Sequence, residues 1–216
     1  SPMSPSTPMS KDSYSMSKKH ADAQFKADKD ACSSQSGNAK DICIAEAKGK
    51  ENVAKAEAEA AYEGTPKSRE HARIAHAEAS YKVSIEKCDD QAGNLKDVCV
   101  KEAKGKEDIA KAELEAQYKP SAKATHKVAD ARADAAYNVA KEKCDDQTGN
   151  AKDVCVKDAR AEHVKAKENA KVAAAAAKPA DSNAEKNANV AEARKDASAE
   201  KNEANYKAAK ERCDAM

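Results

Sequence analysis

Small apolar residues return along this chain at spacings of three and four. One stretch carries Ile74, Ala77, Tyr81, Ile85 and Cys88, and another carries Val98, Gly105, Ile109, Ala112 and Ala116. That spacing places each set on one stripe of an α-helix. The stripes are interrupted by two kinds of break. Gly93-Asn94 and its counterparts offer a left-handed glycine followed by a capping asparagine, with Asp97 three residues on, as in a capping box. Gly64-Thr-Pro66, Lys119-Pro120-Ser121 and Lys178-Pro179 to Asp181-Ser182 read as proline stops followed by fresh N-caps. These signals predict seven helices, near 10–36, 38–63, 68–92, 94–118, 121–148, 150–177 and 181–214, preceded by a Pro/Ser-rich tail over 1–9. Each stripe is narrow, so a helix can meet neighbours without being surrounded. The expected fold is all-α, with up-and-down antiparallel helical hairpins in an extended bundle or array over 10–216.

The breaks and stripes repeat with a period of 56 residues. Asp41-Ile-Cys-Ile-Ala-Glu-Ala-Lys-Gly-Lys-Glu51 returns as Asp97-Val-Cys-Val-Lys-Glu-Ala-Lys-Gly-Lys-Glu107. Gly37 returns as Gly93 and Gly149, and Phe25 as Tyr81 and Tyr137. In the fourth copy Tyr206 again stands seven residues before a cysteine, Cys213, but the spacing from Cys144 is 69 rather than 56. An insertion near the alanine run at 173–177 accounts for the shift.

The cysteines give the repeat its chemistry. Cys32 and Cys43, Cys88 and Cys99, and Cys144 and Cys155 are each eleven positions apart. In one continuous helix that separation would be ~16 Å, too far for the ~4.4–6.8 Å between Cα atoms that a disulfide tolerates. With a turn at Gly93-Asn94, Cys88 and Cys99 instead reach matching heights on antiparallel helices. Three disulfide staples are therefore expected, each closing a short loop and stabilising by roughly 3 kcal/mol in the chain-entropy model. Zinc sites usually space their cysteines more closely, and a redox pair would favour Cys-x-x-Cys at a helix start. Disulfides imply an oxidising compartment, so a periplasmic or secreted protein is expected. Cys213 occupies the first-cysteine position of a fourth hairpin. It is a candidate for an intermolecular bridge or a free thiol.

Composition narrows the functional classes. Valine, isoleucine, leucine and phenylalanine together supply only 19 of 216 residues, and tryptophan is absent. Alanine dominates the apolar fraction, so the helices must be thin and must approach closely. Charged residues make up 36% of the chain, yet the net charge is +1. Lys and Glu are interleaved without a basic block, so no nucleic-acid partner is expected. No apolar run approaches the ~20 residues of a membrane-spanning helix, and the tail lacks the apolar core of a secretory signal. No phosphate loop, nucleophile elbow, metal-binding helix or haem motif appears, so neither an enzyme, a cofactor nor a small-molecule substrate is expected.

Three further features carry weaker signals. Asp89-Asp90 and Asp145-Asp146 lie at helix C-termini, where a cation is conceivable and a solvated end is the simpler reading. His20, His71, His76, His126 and His163 do not follow the period and read as surface residues. Gly49 and Gly105 interrupt helix interiors at a cost of ~1 kcal/mol each, which points to close helix approach; the third copy has Ala161 there.

The phrases Ser-Gly-Asn-Ala-Lys-Asp-Ile-Cys at 36–43, Glu-Ala-Lys-Gly-Lys-Glu at 102–107 and Ala-Glu-Leu-Glu-Ala-Gln-Tyr-Lys-Pro at 112–120 carry a resemblance over most of residues 10–160. The chain resembles uncharacterised exported Ala/Lys-rich repeat proteins of proteobacteria, often labelled TolA-like on composition. The resemblance implies an envelope or extracellular location and brings no catalytic residues. The leading expectation is a non-enzymatic structural protein that self-associates, as in a fibre or polymer. The alternatives are a stress-protective hydrophilic helical protein of the envelope and a periplasmic binder of divalent metal.

Overall fold

Seven α-helices and no strand occupy the described residues, 7–178 and 182–216, of a computed structural model. They are α1 (Lys11–Cys32), α2 (Gly37–Glu63), α3 (Pro66–Cys88), α4 (Gly93–Tyr118), α5 (Ala122–Cys144), α6 (Gly149–Ala177) and α7 (Asn183–Asp214). The number and order match the sequence expectation. Most of the predicted tail, and the break at 179–181, lie outside the described residues.

The helix ends differ from expectation in an instructive way. Helices α1, α3 and α5 stop at their cysteines, four residues before the predicted ends. At each stop the chain tightens into i→i+3 bonds, as where Asp89, Asp90 and Gln91 donate to the carbonyls of Glu86, Lys87 and Cys88. Glycine then redirects the chain: Gly37, Gly93 and Gly149 all have φ near +60°. Each belongs to the start of the next helix rather than to the end of the previous one. The expected asparagine caps do not form, because the N-cap positions of α2, α4 and α6 are Ser36, Ala92 and Thr148, none with a capping side-chain bond. Side-chain caps act at the opposite ends of the hairpins. Thr65 and Ser68 form a reciprocal capping box with Pro66 at the first helical position, and Ser121 accepts from the Ala124 amide.

The chain divides into two compact units, residues 1–91 and 92–216. In the first, α2 packs on α1 and on α3. In the second, α4 packs on α5, α5 on α6 and α6 on α7. Within either unit, among the described residues, helices that are not consecutive do not meet. Each unit is therefore an open row of antiparallel helices, the array form of the two expected arrangements.

A helix inside a row needs two contact stripes, and α2 has them. Glu51, Ala54 and Ala58 share a groove with α1, whereas Gly49 and Val53 face α3. The single stripe expected from the sequence is only half of this pattern. The buried core is almost entirely alanine and cysteine, including Ala21, Ala47, Ala103, Ala133 and Ala197. Because a methyl group contributes little burial energy, stability depends on how closely the backbones approach. Glycine provides that approach. A Cβ at Gly49 would lie 3.0 Å from the Ala79 Cβ, and one at Gly105 would lie 2.8 Å from that of Ala135.

No helix of the described residues is long and apolar enough to cross a membrane.

Candidate functional site

The repeated cysteine hairpin is the most regular chemical feature of the molecule. Cys32 and Cys43 are bonded with their Cα atoms 5.7 Å apart, and Cys144 and Cys155 with theirs 5.6 Å apart. Cys88 and Cys99 are disulfide-bonded as well. The first cysteine of each set, Cys32, Cys88 or Cys144, has no exposed surface. The second lies half-buried on the following helix. The bonds therefore sit inside the packed tips of the hairpins, where a staple acts mechanically. Cys213 is free and exposed at the end of α7. Tyr206, one period-related step before it, is 68% exposed and does not serve as the core anchor that Tyr81 and Tyr137 provide.

Asparagines after the turn glycines tie neighbouring tips together. The Asn38 side-chain amide donates to Asp90 Oδ1 at 2.7 Å, and the Asn94 amide donates to the Glu142 carbonyl oxygen at 2.7 Å. Asn94 thus reaches from α4 to the end of α5 instead of capping its own helix. The turn aspartates are similarly engaged: Asp90 accepts from Asn38, and Asp145 pairs with Lys152 at 3.3 Å. Burial, reinforced by the nearby Asp145 and Asp97 carboxylates, pushes the Glu142 carboxyl above its ordinary value. Among the described residues, no three His, Cys, Asp or Glu side chains converge in a geometry suited to a metal ion.

Charged side chains cross the helix interfaces at repeat-related positions. Asp22 on α1 pairs with Lys55 on α2 at 2.5 Å, and the same two repeat positions in the second unit place Asp134 on α5 3.3 Å from Lys167 on α6. The hydrogen bond from Lys55 holds the Asp22 carboxyl below its ordinary value, against slight burial, and Asp22 in turn raises Lys55. Glu51, beside this pair, is 6% exposed and bonds Lys48 at 2.5 Å. Its repeat counterpart Glu107 is equally buried and bonds Lys104 at 2.9 Å. Sequence reading missed this set. The available signal was that positions 22, 78 and 134 are always acidic and positions 55, 111 and 167 always lysine.

The third repeat elaborates the same place. His163 stands where the earlier repeats have Glu51 and Glu107. Its Nε2 lies 2.8 Å from Asp134 Oδ1, and its ring stacks on Tyr137 with centroids 4.5 Å apart. Lys167 Nζ is 3.2 Å from Asp130 and 3.3 Å from Asp134, while His126 Nε2 is 3.2 Å from Asp130 on its own helix. Burial pushes the Asp134 carboxyl up, but the His163 hydrogen bond and the Lys167 charge outweigh it and hold the group below its ordinary value. Burial likewise works against the Lys167 ammonium, yet Asp130 and Asp134 together raise it. His126 and His163 are consequently interface residues with side chains 30% and 24% exposed, in contrast to the surface positions expected of all five histidines. The reason is legible only in three dimensions: α6 places His163 opposite Asp134 of α5.

Two shallow grooves follow the same hairpin face. One of about 700 Å³ along α1 and α2 is lined by Met9, Met16, Phe25, Ala54 and Ala58 with Asp28 and Glu51. The other, of about 480 Å³ along α5 and α6, is lined by Tyr137, Ala140, Ala159, Ala166 and the Cys144–Cys155 bridge. Alanines recur in both linings.

Comparison of the chain with protein-family models, curated proteins and solved structures finds no match.

Proposed function

We propose that this chain is a non-enzymatic structural protein of an oxidising compartment outside the cytoplasm, built from disulfide-stapled helical hairpins, that self-associates through its exposed helical faces. The observation that carries this reading is the placement of disulfide bonds in the packed hairpin tips of two units in each of which, among the described residues, helices touch only their chain neighbours. Such a row has outer faces along its whole length, and its covalent staples hold an alanine-rich interface that burial energy alone would hold weakly. Oxidised cysteines are maintained in the periplasm or outside the cell, which supports that location. Cys213, exposed and free, is a candidate covalent link between copies.

Light scattering with electron microscopy of oxidised protein over a wide concentration range tests the reading. Growth of ordered assemblies is the expected result, and a strict monomer at the highest concentration would overturn it. A non-reducing gel of wild type beside Cys213→Ser separates covalent from non-covalent association.

A further inference from the structure

The groove along α1 and α2 holds a hydrogen-bond acceptor that has no donor. Asp28 lines this groove, and Gln24 Nε2 donates to its Oδ1 at 2.9 Å. The other carboxylate oxygen, Oδ2, is buried and has no hydrogen-bond partner among the described residues. Lys50 Nζ stands 4.0 Å from it, beyond hydrogen-bond distance, on a side chain that is 72% exposed. Folded proteins leave few buried acceptors in this condition, because the loss of water at such an atom goes uncompensated.

The remaining charged groups of the groove are engaged elsewhere or open to solvent. Glu51 accepts from Lys48 at 2.5 Å, and Glu57 lies 2.8 Å from His76 Nε2 on α3. Asp22, beside Glu51, is paired with Lys55, and His20 is exposed. The third repeat builds the corresponding groove from α5 and α6 without a free acceptor. Ala136 and Ala140 stand where the first repeat has Gln24 and Asp28. Of the two carboxylates lining that second groove, Asp158 accepts from Arg212 and Glu162 is exposed. The orphaned oxygen therefore belongs to the first groove and not to the hairpin design in general.

We propose that the α1·α2 groove binds a straight-chain primary alkylammonium ion, whose ammonium donates to Asp28 Oδ2 and whose hydrocarbon chain lies along the apolar lining. An ammonium group brings both the missing donor and the opposite charge, so the bond it forms is charge-assisted. One polar anchor beside an otherwise apolar surface suits an alkyl chain better than a sugar or nucleotide, which would need several polar partners. Phe25, Ala54 and Ala58 supply that surface, and the flexible thioethers of Met9 and Met16 can adapt to a chain laid between them. The Met9 amide donates to the Ala61 carbonyl oxygen at 3.2 Å, which holds Met9 against α2. Glu51 and Ala58 are two turns apart on α2, on the order of 10 Å, a span that an n-octyl chain matches. The groove's volume of about 700 Å³ lies within the ~300–1,000 Å³ of small-molecule sites. This site is independent of the self-association proposed above.

NMR titration of oxidised full-length protein, labelled at its methionine methyl groups, with n-octylammonium chloride at constant ionic strength tests the proposal. The Met9 and Met16 resonances are expected to shift along saturating curves, while that of Met216, exposed in the second unit, stays fixed. The neutral analogue 1-octanol has the same chain and is expected to bind about tenfold more weakly. Asp28→Asn, which keeps the side-chain shape, is expected to weaken octylammonium about tenfold and to leave 1-octanol unchanged. Unmoved Met9 and Met16 resonances, equal affinity for the two probes, or wild-type affinity for octylammonium in Asp28→Asn would each overturn the proposal. If the variant does not fold, the comparison of the two probes on the unaltered protein decides.

Discussion

Gly105 and Ala135 approach so closely that a Cβ added at the glycine would sit 2.8 Å from the alanine Cβ, nearer than two such atoms pack. In an exposed helix, Gly→Ala stabilises by ~1 kcal/mol. Here the gain meets an alanine fixed to its own backbone, with no flexible end to move aside. Gly105→Ala is expected to destabilise the second unit by about 1–2 kcal/mol net, since overpacking costs ~1–3 kcal/mol. Adding Ala135→Gly should restore much of the loss. Denaturant unfolding of the single and double variants gives the coupling, and a Gly105→Ala protein more stable than wild type would show that the helices simply separate.

The Cys144–Cys155 bridge closes a loop with a sequence separation of 11. Replacing both cysteines by serine is expected to cost about 3 kcal/mol through restored freedom of the unfolded chain. The measurement is urea unfolding of the double variant beside wild type. Selective loss of protection from hydrogen exchange at the α5 and α6 tip would localise the effect.

Asn94 distinguishes a tie between tips from a helix cap. Its amide nitrogen donates to the Glu142 carbonyl oxygen, so the donor is the working group. Asn94→Asp, which keeps a good capping side chain but removes the donor, is therefore expected to be as harmful as Asn94→Ala, about 1 kcal/mol. Recovery of stability in the aspartate variant would restore the capping role that the sequence suggested.

Acid and alkali should loosen the α5·α6 hairpin for opposite reasons. The Asp134 carboxyl is held below its ordinary value of 3.8, so its contribution is present above that value and lost as the pH falls through the lower folded value. Lys167 is held above its ordinary value of 10.5, so its contribution is complete below 10.5 and lost as the pH rises through the higher folded value. Carboxyl NMR titration reads the first directly, and Asp134→Asn should remove much of that hairpin's acid sensitivity. Glu142 has the reverse sign to Asp134: its raised value means that ionisation above its ordinary 4.5 weakens the fold. Glu142→Gln is accordingly expected to raise the melting temperature at neutral pH while leaving the Asn94 tie to its backbone intact.

Helices, hairpins and bonded cysteines were legible because each depends on local chemistry: the three-and-four spacing, the glycine that takes a positive φ, and the height at which Cys144 and Cys155 meet. The second stripe of α2 was harder to see, since Gly49 and Val53 carry little apolar signal and matter through the distance they permit. The role of Asn94 was misread because a capping asparagine and one that bonds a neighbouring helix look identical in one dimension. The Asp22–Lys55 and Asp134–Lys167 crossings were hidden by abundance, as any helix in a chain with 36% charged residues offers many acid and lysine positions. His163 was hidden by its departure from the period, the property that makes it distinctive among the repeats.

The restriction of contacts to consecutive helices has a consequence for how the chain acquires its covalent structure. Cys43 is made only eleven residues after Cys32, long before Cys88 exists, and Cys155 follows Cys144 at the same interval. Each ring can therefore close within one hairpin, between cysteines that are nearest neighbours in sequence. Short loops close at lower entropic cost than long ones, so the native pairing is favoured over pairing between different hairpins.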